Sequence, residues 1–292
     1  MMKKQQKAYL LALSAILLWS TAGSAFKLSL EYISSTQLLL FAAFFSLLFL
    51  FSWITISGKL KDSFKLSKKE WLYSAIMGSL NPFLYYLILF EAYDLLLAQE
   101  AVALNYVWPL TLVLLSIPVL KQRIGIYSIL ALFISFAGLL IIITKGAVFG
   151  IELSSPRGIF LALISSVFWV SYWLMNMKDK REEVAKLFVN FCFGFSYILI
   201  YALIRETELS FNPEGMGGGI YIGLFEMGLT YVLWLKALQL SSTTAKVSNL
   251  VYLSPFLSLV FVSIAVGETI HYYTIGGLAL IVVGIVMQRI VK

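Results

Sequence analysis

Apolar residues run through this chain in blocks of about twenty, broken at short intervals by charge, Gly, Pro, Asn and Ser. A helix needs about 20 mostly apolar residues to cross a hydrocarbon core of about 30 Å. On that measure the sequence predicts ten spans, near 8–28, 34–57, 71–91, 95–118, 124–144, 156–177, 184–204, 216–238, 243–266 and 272–290. The longest connection, Arg205 to Gly215, carries the turn-type run Asn212-Pro213-Glu214-Gly215. No connection is long enough to separate soluble domains. Gly217-Gly218-Gly219, just after that turn, reads as loop; no strand precedes it and no Lys-Ser/Thr follows, so it is not a phosphate-binding loop.

One stretch interrupts the apolar pattern from within. Between Gln99 and Pro118 the chain carries Glu100 and the run Asn105-Tyr106-Val107-Trp108-Pro109. A carboxylate, an amide and a proline are tolerated at membrane depth only where they face protein or a water-filled cavity.

Composition supports a membrane setting. The 292 residues are 60% hydrophobic and 13% charged, with a mean hydropathy of +0.89, against roughly 45–50% and 25% in globular proteins. The fold class expected is an all-α membrane protein. A single cysteine, Cys192, and a single histidine, His271, leave no disulfide framework, metal cluster or Cys/His catalytic pair, and no cofactor is called for.

Charge sets orientation. With the N-terminus inside, the inner segments collect Lys3, Lys4, Lys7, Lys59, Lys61, Lys65, Lys68, Lys69, Lys121, Arg123, Lys178, Lys180, Arg181, Arg289 and Lys292. The outer loops keep Lys27, Lys145, Arg157 and Arg205. Both termini are therefore expected in the cytoplasm, and the net charge of +7 encodes topology rather than a nucleic-acid partner. Lys3, Lys4 and Lys7 ahead of an apolar run ending near Gly23-Ser24-Ala25 imitate a signal peptide. This span has a later counterpart, so it is read as a retained helix.

That counterpart belongs to an internal repeat. An offset of 146 places Tyr106 on Tyr252, Pro109 on Pro255 and Gly138 on Gly284; an offset of 145 places Gly78 on Gly223, Tyr86 on Tyr231 and Ala92 on Ala237; an offset of 150 places Trp19 on Trp169. The chain is read as two five-helix repeats, 1–147 and 148–292. Because five is odd, the halves enter the membrane from opposite sides and form inverted-topology repeats, the arrangement in which one half rocks against the other around a midplane site.

The candidate chemistry lies at mid-span. Asn81 and Tyr85 are four apart, as are Trp169 and Trp173, while Asn105 and Trp108, and Asn249 and Tyr252, are three apart, so each pair would share a helix face. Glu226 lies near the centre of its span. These faces are expected to converge on one cavity, with interhelical packing as the alternative for the aromatic residues and interhelical hydrogen bonding for the asparagines. Glu100 and Glu226 are the candidates for coupling or polar contact, because a carboxylate at mid-membrane costs about 2.5–3.5 kcal/mol on insertion scales. Glu100 corresponds to Lys246, and Glu91 to Lys236. Pro109 and Pro255 are read as helix kinks in matching spans.

Leu18-Trp19-Ser20-Thr21, Glu100 followed by Asn105-Tyr106-Val107-Trp108-Pro109, Tyr231-x-x-Trp234-x-x-Ala237-Leu238 and Tyr252-x-x-Pro255, set in this ten-span layout, resemble the drug/metabolite transporter superfamily in its EamA-type branch. The fourth-span run is similar to the bacterial aromatic amino-acid exporters. The resemblance covers essentially the whole chain. It implies an inner-membrane exporter whose central cavity is lined by Asn81, Tyr85, Tyr106, Trp108 and Trp169, with Asn249 and Tyr252 added from the second repeat. Asn81 stands where those exporters are expected to carry tyrosine, and Glu226 is an acid they are not expected to have.

The expected partners are a small-molecule substrate and the lipid bilayer, with the protein a monomer or weak dimer. A sugar or nucleotide-sugar carrier, or a drug carrier, is the alternative within the superfamily; for the nucleotide sugars, Lys246 is the one thin sign of a phosphate site. An intramembrane enzyme is disfavoured: His271 falls in an outer loop, and Asp62, Asp94 and Asp179 fall at span ends or in loops.

Overall fold

The computed structural model describes residues 3–96, 104–147, 155–205, 211–254, 256–257 and 271–290. Among these all regular structure is helical. The predicted sites Glu100 and Pro255 lie outside the described residues.

The helices follow the apolar blocks: α1 (Lys4–Leu30), α2 (Ser35–Ile56), α3 (Lys68–Gly78), α4 (Tyr85–Leu95), α5 (Trp108–Leu120), α6 (Ile126–Ile143), α7 (Pro156–Lys178), α8 (Glu183–Arg205), α9 (Pro213–Tyr221), α10 (Thr230–Leu240), α11 (Thr244–Ser248) and α12 (Tyr272–Ile290). Wide-turn π segments join α3 to α4 (Ser79–Leu84) and α9 to α10 (Ile222–Leu229), and a 3₁₀ turn, Asn249–Tyr252, follows α11. Among the described residues five helical stretches, Ser35–Ile56, Lys68–Ala92, Pro156–Lys178, Glu183–Arg205 and Pro213–Leu240, are long and apolar enough to cross a membrane. Leu72, Phe133, Phe160, Leu203 and Ile275 are exposed large apolar side chains, the surface a lipid environment accepts.

Polar side chains close the helix starts. The Ser34 and Ser155 hydroxyls accept backbone N–H groups at the heads of α2 and α7, Asn212 does so for α9, and Ser67 with Glu70 forms a reciprocal capping box on α3. Asn212-Pro213 therefore marks a helix start, as the turn reading requires. The glycine triplet after it does not form a loop, because it lies inside α9. Its small surface lets helices meet: a Cβ on Gly218 would collide with the Ser29 hydroxyl of α1, and one on Gly219 would lie 2.7 Å from Phe41 Cβ of α2.

Packing between helices comes in matched pairs. Helix α1 lies against α9, Ile222–Leu229 and α10, while α7 lies against Ser79–Leu84 and α4. Helix α2 packs on α9 and Ile222–Leu229, while α8 packs on α3 and Ser79–Leu84. Helices α2 and α8 pack on each other, as do α6 and α12, and α5 meets α11. Glycines permit the closest of these approaches. A Cβ on Gly138 of α6 would sit 2.5 Å from the Gly277 carbonyl of α12, and one on Gly284 would sit 2.5 Å from the Ala131 carbonyl of α6.

The Lys-rich end of α7 is held by buried polar contacts. Lys186, fully buried, donates to the carbonyls of Asn176 (2.6 Å) and Asp179 (2.7 Å), while Arg181 binds Asp179 and the Ser74 hydroxyl. Methionine at 186 fills similar volume but strands two carbonyls. Each orphaned group costs about 1–3 kcal/mol, so Lys186→Met is expected to lower unfolding stability by several kcal/mol in a detergent thermal-shift measurement.

Candidate functional site

Four indoles meet in the middle of the bundle, one from each of four helices. Trp19 of α1 lies with its ring centroid 6.1 Å from Trp108 of α5, 6.1 Å from Trp169 of α7 and 5.3 Å from Trp234 of α10. Trp108 in turn lies 6.0 Å from Trp169 and 5.6 Å from Trp234. Edge-to-face and tilted contacts dominate, the geometry that places a positive ring edge against a negative face. Tyr85 stacks at 4.6 Å on Trp169, and Trp173 and Tyr231 extend the cluster at 5.4 and 5.6 Å. All except Trp19 are buried.

The cluster holds polar atoms with nothing to bind. Among the described residues the buried indole N–H groups of Trp169, Trp173 and Trp234 find no hydrogen-bond partner. A buried, unmet donor costs free energy and calls for an explanation.

A second polar group adjoins it. Tyr86 donates its hydroxyl to Glu226 Oε1 at 2.6 Å, and Tyr231 donates to Asn81 Oδ1 at 3.1 Å, with the two phenolic oxygens 3.5 Å apart. Glu226 sits at the midpoint of Pro213–Leu240. Its Oε2, and Asn81 Nδ2, find no partner among the described residues.

Both acceptors sit where the helix departs from α geometry. Asn81 has the extended torsions φ −155°, ψ 127° and precedes Pro82, whose missing N–H and ring end the α3 ladder. The Pro82 ring packs against Gly194 of α8. Across the bundle the widened turn at Ile222–Leu229 is made possible by Gly223 and Gly228, and the Thr230 hydroxyl takes up the Phe225 carbonyl that the widening frees.

Of the residues singled out from the sequence, Tyr85, Trp108 and Trp169 join the indole cluster, and Asn81 and Glu226 join the tyrosine pair. Asn81 and Tyr85 do not share a regular helix face, because the helix breaks at Asn81. Tyr106 lies in the turn before α5, at the margin of the main core. Pro109 is the second residue of α5, so the break falls at Tyr106–Val107 ahead of it rather than within a continuous helix. Tyr252 does not reach the indoles: it is buried among Leu110, Leu132, Leu139 and Ile281, 6.1 Å from Phe136. Asn249 is buried nearby, its amide atoms unpartnered.

Trp19, Tyr86, Tyr231 and Trp234 were not among the residues chosen from sequence. Trp19, Tyr86 and Tyr231 carried a signal, since they align in the repeat. Trp234 falls on Leu89 at the same offset, and its signal was its place in the run Tyr231-x-x-Trp234-x-x-Ala237-Leu238. Among the described residues no group of His, Cys, Asp and Glu is placed to hold a metal ion.

Tyr86 is expected to tolerate replacement by tryptophan poorly and by phenylalanine well as regards folding. Tyr86→Phe removes one hydrogen bond to the Glu226 carboxyl group, about 0.5–1.5 kcal/mol, and leaves the ring contact with Tyr85 in place; thermal unfolding in detergent measures the difference.

Comparison with known proteins agrees with this architecture. An uncharacterized transporter of Archaeoglobus fulgidus is 25% identical over 280 residues, covering 93% of this chain and 94% of the relative. The uncharacterized transporter YyaM of Bacillus subtilis is 24% identical over 183 residues, 61% of this chain and 59% of that protein. A crystal structure of a protein 20% identical in sequence superposes with a TM-score of 0.82 over 97% of both chains, a likeness of fold. The profile of the EamA-like transporter family matches residues 6–144 and 156–289. The chain belongs to the EamA-like transporter family.

Proposed function

We propose that this transporter exports small amphipathic metabolites, with aromatic or other apolar amino acids as its substrates, by alternating access between two inverted five-helix halves in the inner membrane. The observation that carries the reading is the buried indole cluster with three unpartnered N–H groups. Ring faces stack on an apolar or aromatic side chain, and free N–H donors meet a carboxylate.

Two features support the paired halves. Exchanging the halves turns the packing of α1 on α9 and α10 into that of α7 on the α3–α4 segment, and turns α2 on Ile222–Leu229 into α8 on Ser79–Leu84. It also exchanges the two π segments, Ser79–Leu84 with Ile222–Leu229, and sets Asn81 on Glu226 and Tyr86 on Tyr231 at an offset of 145. The concentration of Lys and Arg in alternate loops supports cytoplasmic termini.

The test is uptake by proteoliposomes of labelled tryptophan, phenylalanine, threonine and a nucleotide sugar. Selective flux of the aromatic amino acids, lost in Trp108→Ala, is the expected result. Flux of the nucleotide sugar alone overturns the substrate assignment.

A further inference from the structure

Among the described residues Glu226 is an acid without a counter-cation. The residues Ile222–Leu229 around it pack on α1 and α2, with Tyr86 reaching in from α4. Helix α2 contains no ionisable side chain, and α1 carries Lys4, Lys7 and Lys27 only near its ends. On its own helix the nearest charges are Glu214 and Lys236, ten or more residues away, which is at least about 15 Å along a helix at about 1.5 Å per residue. On the α3–α4 segment Lys68, Lys69, Glu70 and Tyr73 lie at one end and Glu91, Tyr93 and Asp94 at the other, and Glu91 is exposed and paired with Arg157. What faces the carboxyl is Tyr86, with Tyr231 and the Asn81 amide behind it.

The repeat adds a second observation. Asn81 and Glu226 are equivalent positions, and each accepts from the tyrosine of the opposite half. The two hydrogen bonds therefore cross between the halves, and they differ in one respect: one acceptor is a neutral amide and the other an acid. A hydrogen bond to an ionised acceptor is roughly twice as strong as one between neutral groups. Adding a proton to Glu226 weakens the bond from Tyr86 and leaves the bond from Tyr231 to Asn81 as it was. Oε2, buried and unpartnered, is the atom open to that proton.

We propose that Glu226 is a proton-binding site through which the transporter exchanges one proton for each substrate molecule, with the acid in one half and its neutral counterpart Asn81 in the other. The proton passes from water on one side to the Glu226 carboxylate and from the carboxylic acid to water on the other, with no other bond changed. The inference extends the transport reading, and its test has a readout that does not depend on it.

Infrared difference spectroscopy on the purified protein, with pH as the variable, is expected to show a protonated-carboxyl band that titrates in the wild type, is absent in Glu226→Gln and returns in Glu226→Asp. In proteoliposomes with an acid lumen, labelled tryptophan is expected to accumulate above parity in the wild type and only to parity in Glu226→Gln, while tryptophan counterflow without a pH gradient persists in both. A Glu226→Gln protein that retains the band or still accumulates tryptophan above parity overturns the proposal, as does tryptophan counterflow in a wild type that never exceeds parity. Absent counterflow in every protein counts against the amino-acid reading, and the infrared result then decides the proton site alone.

Discussion

Trp169→Ala is expected to abolish flux of aromatic amino acids and to destabilise the folded protein by about 3–5 kcal/mol, the range for a large aromatic side chain removed from a core. Trp169 is the hub of the cluster, in ring contact with Trp19, Tyr85, Trp108, Trp173 and Tyr231. Each aromatic pair contributes about 0.5–1.5 kcal/mol beyond burial, so the loss is shared among several helices. Trp169→Phe separates the two effects, because it keeps most ring packing and deletes the unpartnered N–H. The expected outcome is a protein with near wild-type melting in detergent and strongly reduced affinity for amino-acid carboxylate, measured as a raised KM for uptake. An unchanged KM in Trp169→Phe would show that the indole N–H does not meet the substrate.

The second large effect is at the helix crossings. Valine at Gly223 places Cβ 2.5 Å from the Ala42 carbonyl and 2.9 Å from Ser46 N, and valine at Gly78 places it 2.5 Å from the Asn190 carbonyl and 2.6 Å from Gly194 N. These neighbours are backbone, which cannot swing aside, so α2 and Ile222–Leu229, or α3 and α8, must separate. Overpacking typically costs about 1–3 kcal/mol and more where backbone must shift. Both variants are expected to give little monodisperse protein on size exclusion. Gly217→Val, whose Cβ meets nothing within 4 Å, is the matched control and is expected to behave as wild type. Equal recovery of all three would show that the crossings are looser than the geometry states.

Much of this was legible in the chain because two periodicities were written into it. Apolar blocks marked where helices lie, and the offset of 145 joined Tyr86 to Tyr231, whose hydroxyls lie 3.5 Å apart. What sequence left hidden was distance across the bundle. Tyr252 and Trp108 were both expected at one cavity, yet one packs beside Phe136 and the other among the indoles, because no pattern along a chain records which face of a helix its neighbours cover. The break at Asn81–Pro82 went unread for a different reason. Pro109, in a polar-interrupted run, lies at the start of a helix where proline is harmless, while Pro82, inside an apolar run, ends a ladder. The glycine triplet misled in the opposite sense, since its composition says loop while its contacts with α1 and α2 require small residues inside a helix.

The central claim is that an aromatic amino acid occupies the indole cluster between the two halves, and the most direct test is the anomalous density of bound 4-bromophenylalanine in crystals of the transporter. The account predicts one bromine peak among Trp19, Trp108, Trp169 and Trp234, with those rings parted to admit it. A bromine peak only elsewhere, for instance beside Tyr252 and Phe136, would contradict the account.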